Sequence, residues 1–188
     1  MLLQDSRRWW IFTAIILLSG AGWTWLSRVP DLAAPNGAGR IASPRQGFPA
    51  PDFTLADLSG DSTTLSSQQG KVVLVNLWAS WCGPCRAEMP AIQKLYDANR
   101  ERGLEVLAVN STFQDNEDDA RAFVQNLHLT LPVLLDKDGS VSRRYLLRAL
   151  PSTFIIDRQG IIRAVIVGGP VSEAVLQTKI ETLLNEAP

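Results

Sequence analysis

Both cysteines of this chain fall in one pentapeptide, Trp81-Cys82-Gly83-Pro84-Cys85. Two thiols in a C-x-x-C can pass electrons by making and breaking a disulfide between them. The thiolate is the reactive form, and a helix N-terminus stabilises it with unpaired N–H groups and partial positive charge. Pro84 fits a first helical turn, where its missing N–H would have no partner, and Gly83 lets the backbone bend into that turn. In this arrangement Cys82 is the exposed nucleophile and Cys85, one turn deeper, the resolving thiol.

Other uses of the pair fit less well. A structural bridge between cysteines this close seals a tiny loop and removes little unfolded-chain entropy. A zinc site normally takes four ligands, and two cysteines with one distant histidine, His128, do not supply them. Haem attachment needs C-x-x-C-H, whereas Arg86 follows Cys85. The reading is a site with no metal and no cofactor beyond the Cys82–Cys85 couple itself.

The elements around the pair suit that chemistry. The apolar run Val72 to Trp78 reads as a buried strand that delivers the cysteines into a helix. The helix runs to about Arg102, with Pro90 expected to kink it and Gly103 to end it. Leu104 to Asn110 is a second buried strand, and Asn116 caps a helix whose first turn carries Glu117, Asp118 and Asp119. A short strand spans Pro132 to Asp136, with a short helical piece at Val141 to Leu147. Phe154 to Asp157 and Ile161 to Val167 form an antiparallel pair around Arg158-Gln159-Gly160. Ser172 caps a last helix whose Leu176, Ile180, Leu183 and Leu184 make one apolar stripe. Phe53-Thr54-Leu55 and Ser62 to Leu65 add an opening hairpin. This order predicts an α/β domain with a central mixed sheet and helices on both faces.

The N-terminus has a different character. Met1 to Arg8 is a short head, and Trp9 to Leu26 follows without a charge. As a helix that stretch is about 27 Å long, close to the hydrocarbon thickness of a bilayer. Trp9-Trp10 and Trp23, Trp25 flank it like interfacial belts. A cleaved signal peptide competes, although Ser19-Gly20-Ala21 is a weak cleavage site, and Ser6-Arg7-Arg8 brushes against a twin-arginine signal. The uncleaved signal anchor is preferred, with the bulk of the chain on the extracytoplasmic side of the cell membrane. Ser27 to Gly47, rich in Pro and Gly, reads as a flexible tether, and residues 48–188 as the folded domain. With 18 basic and 19 acidic residues, the net charge of −1 gives no reason to expect a nucleic-acid partner.

Strand, Trp-Cys-Gly-Pro-Cys, helix, then Ala149-Leu150-Pro151-Ser152-Thr153-Phe154 entering a hairpin resembles the thioredoxin fold. More closely, Val75 to Pro90 resembles the membrane-anchored TlpA/ResA-like thiol–disulfide oxidoreductases. The resemblance covers roughly Pro51 to Leu184. It implies a cis Leu150–Pro151 bond packed against the disulfide, with the Leu150 backbone free to pair with an extended substrate. It also gives Glu88, one helical turn after Cys85, the part of a carboxylate that moves a proton during exchange. Thioredoxin has a buried aspartate six residues before its first cysteine; here Asn76, which cannot titrate, takes that place. Trp81 is expected to shield the sulfurs and offer a docking surface, Trp78 to sit in the core, Arg86 to be a solvated surface arginine rather than a partner of the Cys82 thiolate, and His128 to be structural.

The resemblance implies a reductase of extracytoplasmic protein disulfides, supplied with electrons by an integral-membrane thiol carrier. Apocytochrome c is one candidate substrate. Two rivals remain: a copper-delivery protein, whose relatives use C-x-x-x-C and a later histidine, and a thiol peroxidase, which wants a single peroxidatic cysteine.

Overall fold

The computed structural model describes residues 15–19 and 41–186. Residues 15–19 are helical and belong to a separate unit from the folded domain. The rest of the expected span at 9–26 lies outside the described residues, as does the tether up to residue 40. Among the described residues, no helix is long and apolar enough to cross a membrane.

The sheet follows from the two seven-residue apolar strands. In β3 (Val72–Trp78) every residue is buried, as expected for a central strand covered on both faces. It pairs in parallel with β4 (Leu104–Asn110) and antiparallel with β6 (Ser152–Ile156). β5 (Val133–Leu135) and β7 (Ile162–Val167) complete the order β5-β4-β3-β6-β7. The hairpin β1 (Thr54–Ala56) and β2 (Ser62–Thr64) forms its own two-stranded sheet.

Alternate residues of β3 face two cores. Val72, Leu74 and Trp78 point to the side covered by α1 (Gly83–Asn99), α2 (Glu117–Asn126) and α4 (Glu173–Asn185). Trp78 is fully buried there, its ring 4.5 Å from that of Phe123. Val73, Val75 and Leu77 meet Phe53, Leu65, and Val141 and Tyr145 of the short α3 (Ser140–Arg144) and its end. The three long helices therefore share one face, and the second is closed mainly by the N-terminal hairpin region and one short helix.

Local signals explain the boundaries. Asn116 and Ser172 cap α2 and α4 with side-chain bonds to Asp119 N and Val175 N. Pro90 lies within α1, which continues through it to Asn99, and left-handed Gly103 ends the following turn. His128, exposed and at φ 51°, occupies the left-handed position just past the end of α2, a helix stop. Hydrogen bonds tie residues ahead of Phe48 to the folded domain: Ser43 N bonds to Pro49 O, and Gly47 N to Ile162 O.

Candidate active site

Cys82 is the N-cap of α1, and its sulfur accepts the backbone N–H of Cys85 at 3.2 Å. Pro84 occupies the first turn, as its missing donor permits. The sulfurs are joined, with S–S 2.12 Å and Cα–Cα 5.2 Å. Cys85 is completely buried and Cys82 only 5% exposed, so the outer sulfur is more enclosed than its place in the motif implies. Trp81, by contrast, is 61% exposed, and its indole N–H donates to Gln114 O at 3.0 Å. It stands as a wall beside the sulfurs.

The loop entering the motif is pinned by Asp115. Its carboxylate accepts the Ser80 N–H and hydroxyl, both at 2.7 Å, and the Asn110 side-chain amide at 2.8 Å. Partial burial would raise its pKa, but these bonds, with one from Asn116 N, outweigh it and hold the group below its ordinary value. Arg86 meets Cys82 through its backbone, its N–H donating to Cys82 O at 3.1 Å, while its side chain is engaged elsewhere. Its guanidinium lies 4.7 Å from the Phe123 ring centroid and reaches Ser80 O at 3.4 Å.

Glu88 is 1% exposed, which sets it apart from the surface carboxylates of the chain. Asn76 Nδ2 donates to one carboxylate oxygen at 2.9 Å, and Val171 N–H to the other at 3.0 Å. Burial pushes its pKa up, and the two donors oppose that without cancelling it. Among the described residues, no hydrogen bond joins this carboxylate to either sulfur. Asn76 also donates to Thr153 Oγ1 at 2.9 Å, so one amide ties α1 to β6 through β3. Its own Oδ1 is buried without a partner.

The Leu150–Pro151 bond is cis. Pro151 O accepts Gly168 N–H at 2.8 Å, whereas the Leu150 backbone N–H and C=O have no hydrogen-bond partner among the described residues. A Cβ added to Gly169 would lie 2.8 Å from both Glu88 Oε2 and Pro151 Cγ. The 168–171 segment thus covers the proline and the glutamate together. Alongside Cys82 opens a groove of about 680 Å³, bordered by Trp81, Gly83, Pro84 and Leu150 as well as by Phe113 and Leu146.

The structure therefore gathers Trp81, Cys82, Gly83, Pro84 and Leu150 at one groove; Cys85 is buried behind Cys82 in the disulfide, and Pro151 and Glu88 meet beneath Gly169. Sequence reasoning missed Asp115, the 168–171 cover and the Phe113 and Leu146 walls. The aspartate's place between Gln114 and a helix cap resembles any loop residue. Gly168-Gly169-Pro170 was the one available signal for the cover. Among the described residues, no group of three or more His, Cys, Asp or Glu could hold a metal.

Residues 47–165 match the AhpC/TSA family. The chain belongs to that family. Within this thioredoxin-like family its relatives include the thioredoxin-like protein YneN of Bacillus subtilis, 43% identical over 66% of this chain and 72% of the relative. The thiol-disulfide oxidoreductase ResA of Oceanobacillus iheyensis is 33% identical over 97% of this chain and 91% of its own length. Among solved structures, a Chlorobium tepidum protein assigned as thiol:disulfide interchange protein DsbE has 33% identity and a TM-score of 0.68, covering 73% of this chain and 96% of that one. Joined to the cysteine pair, these likenesses make this AhpC/TSA member a thioredoxin-like thiol–disulfide oxidoreductase of the ResA/DsbE type.

Proposed function

We propose that the protein is a membrane-anchored reductase of extracytoplasmic protein disulfides. The observation that carries the exchange mechanism is Cys82 at the N-cap of α1 with Cys85 buried directly behind it. In the reduced protein the Cys82 thiolate attacks one sulfur of the substrate disulfide, and the other substrate sulfur leaves as a thiolate. Cys85 then attacks Cys82 in the mixed disulfide. Two electrons pass to the substrate, the protons lost by the two protein thiols balance those gained by the substrate thiols, and the Cys82–Cys85 disulfide remains. Glu88 is the buried carboxylate that takes up the proton as Cys85 ionises, and the unpaired Leu150 backbone aligns the substrate strand.

The reducing direction rests on the Gly83-Pro84 dipeptide, which resembles reducing members of the superfamily. Turnover then requires a dithiol donor, for which an integral-membrane thiol carrier is the suitable class. Anchoring rests on the uncharged Trp9 to Leu26 stretch, which is long enough as a helix to span a bilayer; the alignment with the Oceanobacillus iheyensis ResA extends over it. Apocytochrome c is the candidate substrate, because haem attachment to C-x-x-C-H needs both thiols reduced.

Expressing Cys85→Ala in the native host tests this. A c-type apocytochrome held covalently on Cys82 in the membrane fraction is the expected result. Full expression with no protein captured contradicts the exchange mechanism, and capture of cytoplasmic proteins alone contradicts the location.

A further inference from the structure

Among the described residues of the folded domain, six large apolar ones are at least 43% exposed: Ile41, Trp81, Phe113, Leu146, Val167 and Val175. Three of them, Trp81, Phe113 and Leu146, border the groove beside Cys82. Apolar exposure gathered in one place on an otherwise polar surface marks a contact site. The walls are also built rather than loose. The Trp81 indole is fastened to Gln114 O. Phe113 packs over Gly139, where an added Cβ would meet its ring at 3.0 Å.

Leu146 is held at φ 52°, a left-handed conformation that a bulky residue rarely adopts. Its strain is not offset by burial, since the side chain is 54% exposed at the groove.

The charge is one-sided. The charged residues lining the groove are Arg143 and Arg148, with no acidic residue among its lining. Arg143 donates to Asp138 O at 2.9 Å and packs beside Phe113 on Gly139. Arg148 is exposed and has no ion-pair or hydrogen-bond partner among the described residues. It sits two positions before Leu150, whose backbone is unpaired.

We infer that this groove selects an extended substrate segment carrying an apolar side chain and, beside it, an Asp or Glu near the disulfide. The strand pairs with the Leu150 backbone, its apolar side chain lies between Trp81, Phe113 and Leu146, and its carboxylate meets Arg148. This specificity rests on the dithiol exchange proposed above and deepens it by naming the substrate's chemistry.

The test uses two peptide disulfides of identical sequence except for Glu or Lys flanking the cysteine, together with the neutral hydroxyethyl disulfide. Reduced full-length protein in detergent is mixed with each, and the rate of protein oxidation is followed. The Glu peptide is expected to react roughly tenfold faster than the Lys peptide at low salt, a gap that narrows as salt is added. Arg148→Glu is expected to reverse the order, whereas Lys179→Glu, with the same change in net charge on α4, keeps the wild-type preference. Equal rates for the two peptides overturn the proposal, as does a preference changed equally by both variants. Failure of the wild type to reduce hydroxyethyl disulfide at all overturns the exchange reading beneath it.

Discussion

Glu88 accepts a 3.0 Å hydrogen bond from the backbone N–H of Val171, across 83 positions of sequence. That contact, with the Asn76 amide, fixes a buried acid whose folded pKa lies above its ordinary 4.5. Below 4.5 the group is neutral in both folded and unfolded chains, so its contribution to stability is fully present. As the pH rises from 4.5 through the raised folded value, the unfolded chain ionises first and that contribution is lost. The unfolding free energy of the oxidised wild type should therefore fall relative to Glu88→Gln across this interval and run parallel above it. Urea titrations at a series of pH values check this; a constant difference contradicts it.

Asn76→Asp replaces the donor to Glu88 and Thr153 with a second buried carboxylate. Two acids at hydrogen-bonding distance cannot both ionise cheaply, and two former acceptors lose their donor. The variant should lose about 2–4 kcal/mol at neutral pH. Chemical denaturation should show a smaller loss as the pH is lowered and the pair takes up protons.

Asp115 behaves in the opposite sense. Its folded pKa is lowered from 3.8, so its contribution is present above that value and is lost as the pH falls through the folded one. Asp115→Asn should cost about 1–2 kcal/mol at neutral pH through the weakened Ser80 and Asn110 bonds. The cost should shrink in acid, as thermal unfolding below pH 4 would report.

Gly169→Ala should cost about 1–3 kcal/mol by overpacking, because its methyl would lie 2.8 Å from Glu88 and Pro151. The same displacement reaches the substrate-facing turn. Disulfide exchange should slow along with the loss of stability, whereas Gly60→Ala, with no atom within 4 Å of the added Cβ, should perturb only its own turn.

Much of this site was legible because its signals are local. The apolar run of β3, the cap residues of α2 and α4, and Pro84 in the first turn of α1 each declare their position through neighbours in sequence. The Glu88 environment does not. Helical spacing puts Glu88 near Cys85, but its burial comes from Asn76 in β3 and from Gly169 and Val171 in the 168–171 segment. The walls of the groove are likewise assembled from separate loops, and nothing around Leu146 signals its positive φ. Asp115 acts over 35 positions to hold Ser80, a distance at which composition carries no information.

The central claim is that Cys82 attacks and Cys85 resolves. Reduced wild-type, Cys82→Ala and Cys85→Ala proteins are each mixed with a disulfide-bonded protein substrate, and the covalent products are mapped by mass spectrometry. The account predicts turnover by the wild type, a stable mixed disulfide on Cys82 in Cys85→Ala, and no adduct in Cys82→Ala. A mixed disulfide formed equally well on Cys85 in Cys82→Ala, or substrate reduction by either single-cysteine variant at the wild-type rate, would contradict it.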